Sequence, residues 1–451
     1  MGRKLTLDEG CAPATVSRRG GSVSGALILH RTFRNSVFRW VSHHPMSSLR
    51  ILVIVAAAIL QAARAAELPA LRVRAQTIDP AIQIGYGLAI ADVDGDRKDD
   101  VLLADAKQIV WYRAPNWEKF VMAENLTPKD NVCIAARDLD GDGKAEVAVG
   151  AEWNPADTVN SGAVFLLDAP ADRTKRWTPR KLPHEPTTHR MHFVRGAERS
   201  YSLVVLPLHG RGNKNGEGEG VQVLGYEWPW RQNSRPEPLI SNLPPLHLTH
   251  NFDLVQGTGQ GAQSVETLLL ATKEGVRSID APANRAVPPP VTSINAGEVR
   301  RGALPGGTRF VTTIEPMHGN ELVVYRASTT QYSSGDDWTT RRTVLDDKLV
   351  QGHGLATGDL LGTGGDQIVA GWRGGPGGAK VGIKLYVPAD AHGEAWKMHA
   401  LVDDNTMACE DLKVADLNGD GRLDIIAAGR ATKNVIIYWN ETEGAAAPKK
   451  K

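Results

Sequence analysis

Residues 416–424 read DLNGDGRLD, and the fold follows from how that stretch is read. Oxygen-bearing side chains fall at Asp416, Asn418, Asp420 and Asp424, alternating with small or solvent-facing residues. Gly421 stands where a tight loop needs a positive φ. A hard cation such as calcium takes six to eight oxygens at about 2.3–2.6 Å, and this loop supplies most of them. An EF-hand begins in the same way but needs an acid at its twelfth position and a helix beyond it. Here the twelfth position is Ala427, and the following residues, IIAAGRATKNVIIYWN, read as two strands joined by a turn. The stretch is therefore expected to be a calcium loop between β-strands.

The pattern repeats as DVDGDRKDD from Asp92 and DLDGDGKAE from Asp138, each followed by an apolar strand; a weaker copy, DLLGTGGDQ, starts at Asp359. From Asp92 to Asp416 there is room for six steps of 54 residues. Asp253 marks a unit inside the long central gap, with neighbours expected near residues 195 and 306. A period of this length fits a propeller with four strands per blade, because one blade cannot bury both faces alone and a closed ring can. The prediction is an all-β, seven-bladed β-propeller with four-stranded antiparallel blades and calcium loops, spanning residues 70–441.

These loops and their apolar strands resemble the FG-GAP or VCBS repeats of integrin-type propellers. The resemblance implies structural Ca2+ at two or three sites on one face of the disc. It carries the ligand roles to Asp92, Asp94, Asp96 and Asp100, to Asp138, Asp140, Asp142 and Glu146, and to Asp416, Asn418, Asp420 and Asp424. The first loop departs from the pattern, with Arg97 where glycine is usual.

The apolar run ILVIVAAAIL at residues 51–60, with Arg50 before it and AARAAE after it, is too short to span a bilayer comfortably and reads as a secretory signal peptide. Residues 46–66 are assigned to it and residues 1–45 to a leader or a mis-assigned start. Residues 442–451 are expected to form a disordered tail. The protein is accordingly expected to be periplasmic or extracellular, without stable membrane insertion. A formal net charge of +1 gives no reason to expect a nucleic-acid partner. Cys133 and Cys409 are expected to be buried free thiols.

The face opposite the acidic loops carries a second pattern. Six residues before each anchor stand Tyr86, Val132, His189, His247, Arg300, His353 and Glu410. His209 in LPLHG and His318 in EPMHG occupy similar turns that return to that face, with His192 and His250 nearby. Seven of the 13 histidines thus gather at one mouth, where closed β-folds place ligand pockets. Neutral imidazoles with Glu410 or Asp411 suit a divalent metal such as Zn2+. Histidine and tyrosine also suit general base and acid work, with Arg300 or a metal stabilising an enolate.

The strand starts HRMHF, LTHNFD, EPMHGNELVVYR, QGHGLATGDL and ACEDLKVADLNGDG are similar to those in the propeller domain of the aldos-2-ulose dehydratase family. Those enzymes are sugar lyases that act on keto-sugars such as 1,5-anhydrofructose, and their cupin-like domains have no counterpart in this sequence. The resemblance implies a carbohydrate substrate and β-elimination, that is, a carbon–oxygen lyase on a keto- or anhydro-sugar. The alternative is a non-catalytic propeller that binds a glycan or a protein. Imidazoles converging on one point favour catalysis; imidazoles splayed among loops favour the binding disc.

Overall fold

Apolar residues alternate or run for four to six positions between Gly-, Pro- and Asp-rich turns, so the chain forms short strands and no α-helix among the described residues. The structure is a computed structural model that describes residues 68–231, 234–239, 244–256, 265–280, 291–327, 342–375 and 378–444. The expected leader, signal segment and residues 445–451 of the tail lie outside that set. Thr442, assigned to the tail, is buried and its hydroxyl accepts a hydrogen bond from the Arg72 amide at 3.0 Å.

The strands form seven antiparallel sheets. Their innermost strands are Gly87–Ala91, Cys133–Arg137, Thr188–Arg195, Thr249–Gln256, Glu298–Ala303, Gly352–Gly358 and Cys409–Ala415. Each of these neighbours the innermost strand of the blade before and after it, and that of blade 7 neighbours that of blade 1, so the ring closes. Blades 1, 2, 3, 5, 6 and 7 show four strands, and blade 4 shows three among the described residues.

Packing follows the same logic. Seven hydrophobic clusters lie one at each blade–blade interface. Between blades 1 and 2, for example, Trp111 packs with Val147 and Val149. Cys133 and Cys409 are buried and unpaired, as expected. Each fills space that glycines leave free: a Cβ on Gly150 would stand 2.5 Å from Cys133 Sγ, and one on Gly371 equally close to Cys409 Sγ.

The ring is closed by strands from both ends of the described chain. Val73–Asp79 pairs with Asn434–Asn440 and becomes the outermost strand of blade 7, with Val73 opposite Asn440. Asp79, the last residue of this strand, is buried and reaches into blade 1, where Tyr112 Oη and Lys119 Nζ both donate to its carboxylate at 2.7 Å. Burial works to raise the Asp79 pKa, but Lys119, the Ala81 amide and Tyr112 outweigh it and hold the carboxyl below its ordinary 3.8. A carboxyl depressed in the folded state stabilises the fold above its unfolded pKa and loses that contribution as pH falls through the folded value. Asp79→Asn is therefore expected to lower stability at pH 7 by about 1.5–3 kcal/mol, as for a charge-assisted hydrogen bond, and to flatten the acid limb below about pH 4. Denaturant melts at pH 7 and pH 3 read both effects; a wild-type-like acid limb in the variant contradicts the assignment.

Candidate metal centre

On one rim lie the acidic loops. In blade 1 Asp92 accepts from the Gly95 and Arg97 amides at 2.7 Å, and Asp94 and Asp96 accept from amides two residues on. One carboxylate oxygen from each of Asp92, Asp94 and Asp96 lies within 4.8 Å of the others, and so do those of Asp138, Asp140 and Glu146. Gly143 and Gly421 hold φ of 83° and 85°, and Arg97 holds the corresponding turn at 68°, where a side chain costs about 1–2 kcal/mol. Asp142 accepts from the Lys144 amide, and Asp420 pairs with Arg422. Asp416 accepts from the Asp420 and Gly421 amides, and Asn418 from Asp420.

The ninth-position acids face inward. Asp100 is held by the Val93 and Ala114 amides, Asp424 by those of Leu417 and Asn440, and Glu146 by that of Leu139. In blade 6 neutral side chains supply the hydrogen-bond donors. The Gln367 amide donates to Thr363 and to the Gly365 carbonyl, and Thr363 donates to Asp359.

The opposite rim holds the imidazoles, and β-bulges put them there. In blades 3, 4, 6 and 7 the pairing of the first two strands skips one residue at the start of the inner strand: His189, His250, His353 and Glu410. A bulge re-aims a side chain that regular pairing would leave on a sheet face. Each bulged histidine is then fixed by the next blade. His189 Nδ1 bonds the His250 carbonyl at 2.7 Å, His250 Nδ1 the Gly297 carbonyl at 2.9 Å, and His353 Nδ1 the Glu410 carbonyl at 2.5 Å. A carbonyl only accepts, so all three rings carry the proton on Nδ1 and, when neutral, an acceptor lone pair on Nε2.

Blade 5 contributes differently. Its ring position is Gly297, and the turn after its second strand fills the vacant space: a Cβ on Gly297 would stand 2.8 Å from Met317 Cα. That turn carries His318 at φ 53° and brings its Nε2 to 2.8 Å from His250 Nε2. The His318 and His353 rings stack with centroids 5.0 Å apart, and His250 meets both edge-on. One ring nitrogen from each of His250, His318 and His353 lies within 4.8 Å of the others. Nitrogens on a tetrahedral zinc stand ~3.3 Å apart, and these three rings could hold such an ion on nitrogen.

Two of the rings are held uncharged, as ligands must be, while His250 Nδ1 also faces the buried Glu298 carboxylate at 3.2 Å. Burial pushes His353 well below 6.5, with Arg373 adding to it, and brings His318 down to about 2, with His250 next. Gly297→Ala should displace the His318 turn and weaken divalent-metal binding by about 10–100-fold, the range for losing a group that orients a ligand. Cobalt titration measures it, and unchanged affinity would refute the role given to Gly297.

Around this centre His189 stacks on Trp153, with centroids 4.9 Å apart, and touches the His250 ring at 4.7 Å. Its basicity is well below normal through burial, then Arg190. Glu410 is buried between Arg373 and Arg430, at 2.9 and 2.7 Å. Tyr86 Oη donates to Asp130 at 3.2 Å, beneath the Arg430 guanidinium, 5.3 Å from the ring centre. Burial raises its phenol to about 12.

Two residues assigned to the ring stand elsewhere. His247 precedes the inner strand of blade 4 and bonds Glu274 at 2.9 Å, so His250 holds that position. Arg300 lies deeper, donating to the Val299 carbonyl and facing Glu298 at 3.8 Å, with Gly297 in its expected place. The reason is Asp253, which serves as no loop anchor: it sits mid-strand and accepts from the Arg301 amide. His209 is half-buried in its turn, its backbone bridged to Leu248. His192 packs edge-on against Phe252. Sequence reading missed Trp153, Arg190, Arg373 and Arg430. The recurring pairs Thr188-His189 and Thr249-His250 were the available sign of the blade 4 register.

Residues 92–149 match the FG-GAP-like repeat family, and residues 134–167 match the FG-GAP repeat. No curated protein is significantly similar to the sequence. Among solved structures the chain is similar to BBS1N in complex with ARL6DN, at 12% identity over 85% of this chain and 97% of that one, TM-score 0.48. It is also similar to the β-propeller domain of Cps50 (Swd1) of Myceliophteria thermophila, at 10% identity over 82% and 99%, TM-score 0.47. Exotype rhamnogalacturonan lyase YesX shares 13% identity over 84% of this chain and 76% of that one, TM-score 0.45.

Proposed function

We propose that this FG-GAP-repeat β-propeller is an exported carbohydrate-binding lyase whose axial mouth holds a divalent metal such as zinc on His250, His318 and His353. The observation that carries the reading is the arrangement of those imidazoles. Two are locked by carbonyls of the next blade with the proton on Nδ1 and the Nε2 lone pair turned inward, that of His250 facing His318 Nε2 at 2.8 Å, and the third arrives on a strained turn. Strain of about 1–3 kcal/mol at one residue persists where the surroundings enforce it, and it concentrates at functional sites.

The substrate is a sugar with a C–H bond next to a carbonyl, as in a keto- or anhydro-sugar. A divalent metal held by His250, His318 and His353 would supply a Lewis acid for that carbonyl and so lower the cost of the enolate. His189 is the candidate base for the carbon-bound proton, whose bonding pair becomes the new C=C bond. The β C–O bond breaks with its pair on oxygen, and the Tyr86 hydroxyl is the candidate proton donor to that oxygen. The products are an unsaturated sugar and water or an alcohol.

Ultraviolet absorbance of the conjugated product tests the reaction: it should grow with metal-loaded protein and keto- or anhydro-sugars, and vanish on chelation. No growth at full metal loading removes the lyase. Sugar binding without turnover leaves the non-catalytic binding propeller as the better account.

The acidic rim is proposed to be structural. Hard carboxylate oxygens on turns pinned by backbone amides suit calcium, held by Asp92, Asp94 and Asp96, by Asp138, Asp140, Asp142 and Glu146, and by Asp416, Asn418 and Asp420. Its role is to neutralise loops that otherwise draw on Lys98 and Arg113. Calcium at one hundred times its dissociation constant should stabilise the fold by about 2.7 kcal/mol per site. Melts with and without a calcium chelator check this; identical midpoints would exclude a structural cation.

A further inference from the structure

The bulge at the start of the inner strand of blade 3 leaves His189 out of the ladder, and Arg190, which resumes the pairing opposite Leu206, follows it directly. The Arg190 guanidinium donates through Nη1 to the His189 carbonyl at 3.0 Å and to His189 Nε2 at 3.3 Å. No carboxylate among the described residues bonds it. Its charge is felt across the mouth: after burial, it is among the causes that depress His189 in blade 3, His318 in blade 5 and His353 in blade 6. It also helps to hold down Asp411 in blade 7, whose carboxylate is bonded to Lys413 and the Leu88 amide. Nearby, Arg373 and Arg430 share the single carboxylate of Glu410. Cations thus outnumber their bonded carboxylates at the mouth; three neutral histidines would add no negative charge to a divalent ion, and the Glu298 carboxylate lies behind His250, 3.2 Å from its Nδ1.

We infer that the substrate is a sugar acid, and that Arg190 binds its carboxylate beside the three-histidine centre. This rests on the sugar reading of the same site. One unmatched guanidinium suits one monoanionic carboxylate, which it grips through two parallel hydrogen bonds. A phosphate dianion would require further donors. The pairing also explains the bond from Arg190 to His189 Nε2. A carboxylate that draws the guanidinium toward itself frees that lone pair, so the candidate base becomes available only when a charged sugar is in place. A neutral sugar leaves His189 covered.

The test uses the full chain incubated with cobalt, whose content is measured first. Calorimetric titrations then compare galacturonate, galactose and galactose 6-phosphate. Galacturonate should bind at least ten-fold more tightly than galactose and more tightly than the phosphate, and only the charged sugars should weaken as salt is raised. Arg190→Met should bring the galacturonate-to-galactose ratio close to one at unchanged cobalt content, with Arg190→Lys intermediate. Equal affinities in the wild type, a preference for the phosphate, or a preference that survives in Arg190→Met each overturn the inference. Failure to take up cobalt refutes the metal reading alone, because the sugar ratio and its salt dependence are still read. Should Arg190→Met fail to fold, the wild-type ratio and salt dependence decide.

Discussion

His353→Ala should abolish tight divalent-metal binding and, with it, elimination activity. The substitution removes one of three nitrogens in the centre and the ring that stacks on His318. Losing a group that only orients a ligand costs about 10–100-fold in affinity; losing the ligand itself should cost more. His250→Ala should behave alike and also free His318, whose Nε2 faces it at 2.8 Å. His247→Ala, at the rim with Glu274, should leave metal binding unchanged. Cobalt spectra and metal content of the purified variants separate these outcomes. A His353→Ala protein that keeps wild-type metal content would refute the three-histidine centre, while metal retained with activity lost would move the role of His353 to the chemistry.

Deleting residues 68–79 should cost most of the protein's stability. Six residues of Val73–Asp79 pair with the last strand, and the Asp79 carboxylate couples blade 7 to Tyr112 and Lys119 of blade 1. At about 0.5–1.5 kcal/mol for each hydrogen bond lost, the sum approaches the whole 5–15 kcal/mol of a typical domain. The bared edge would also invite pairing with other chains. Circular dichroism melts and light scattering report both, and a truncated protein with the wild-type midpoint would show that closure contributes little.

The blades were legible where a loop had kept its acids. Asp92, Asp138, Asp359 and Asp416 set a constant offset, and that offset led to Tyr86, Val132, His353 and Glu410. It failed in blades 4 and 5 because Asp253 belongs to a strand, bonded to the Arg301 amide; a half-buried strand acid and a loop acid look alike in sequence. His318 was found through its turn, yet nothing in the text of the chain revealed that Gly297 makes room for it. The closing strand escaped for another reason. Val73 and Asn440 pair across almost the entire described chain, and pairing at that distance leaves no local periodicity.

That pairing bears on how the molecule assembles. The segment synthesised before any blade must wait for the final hairpin before it finds its place, so ring closure is the most non-local event in folding. Loop-closure entropy makes such contacts slow to form. Until the first strand docks on Asn434–Asn440, the last blade keeps a bare edge, and it is that blade which needs protection from its neighbours.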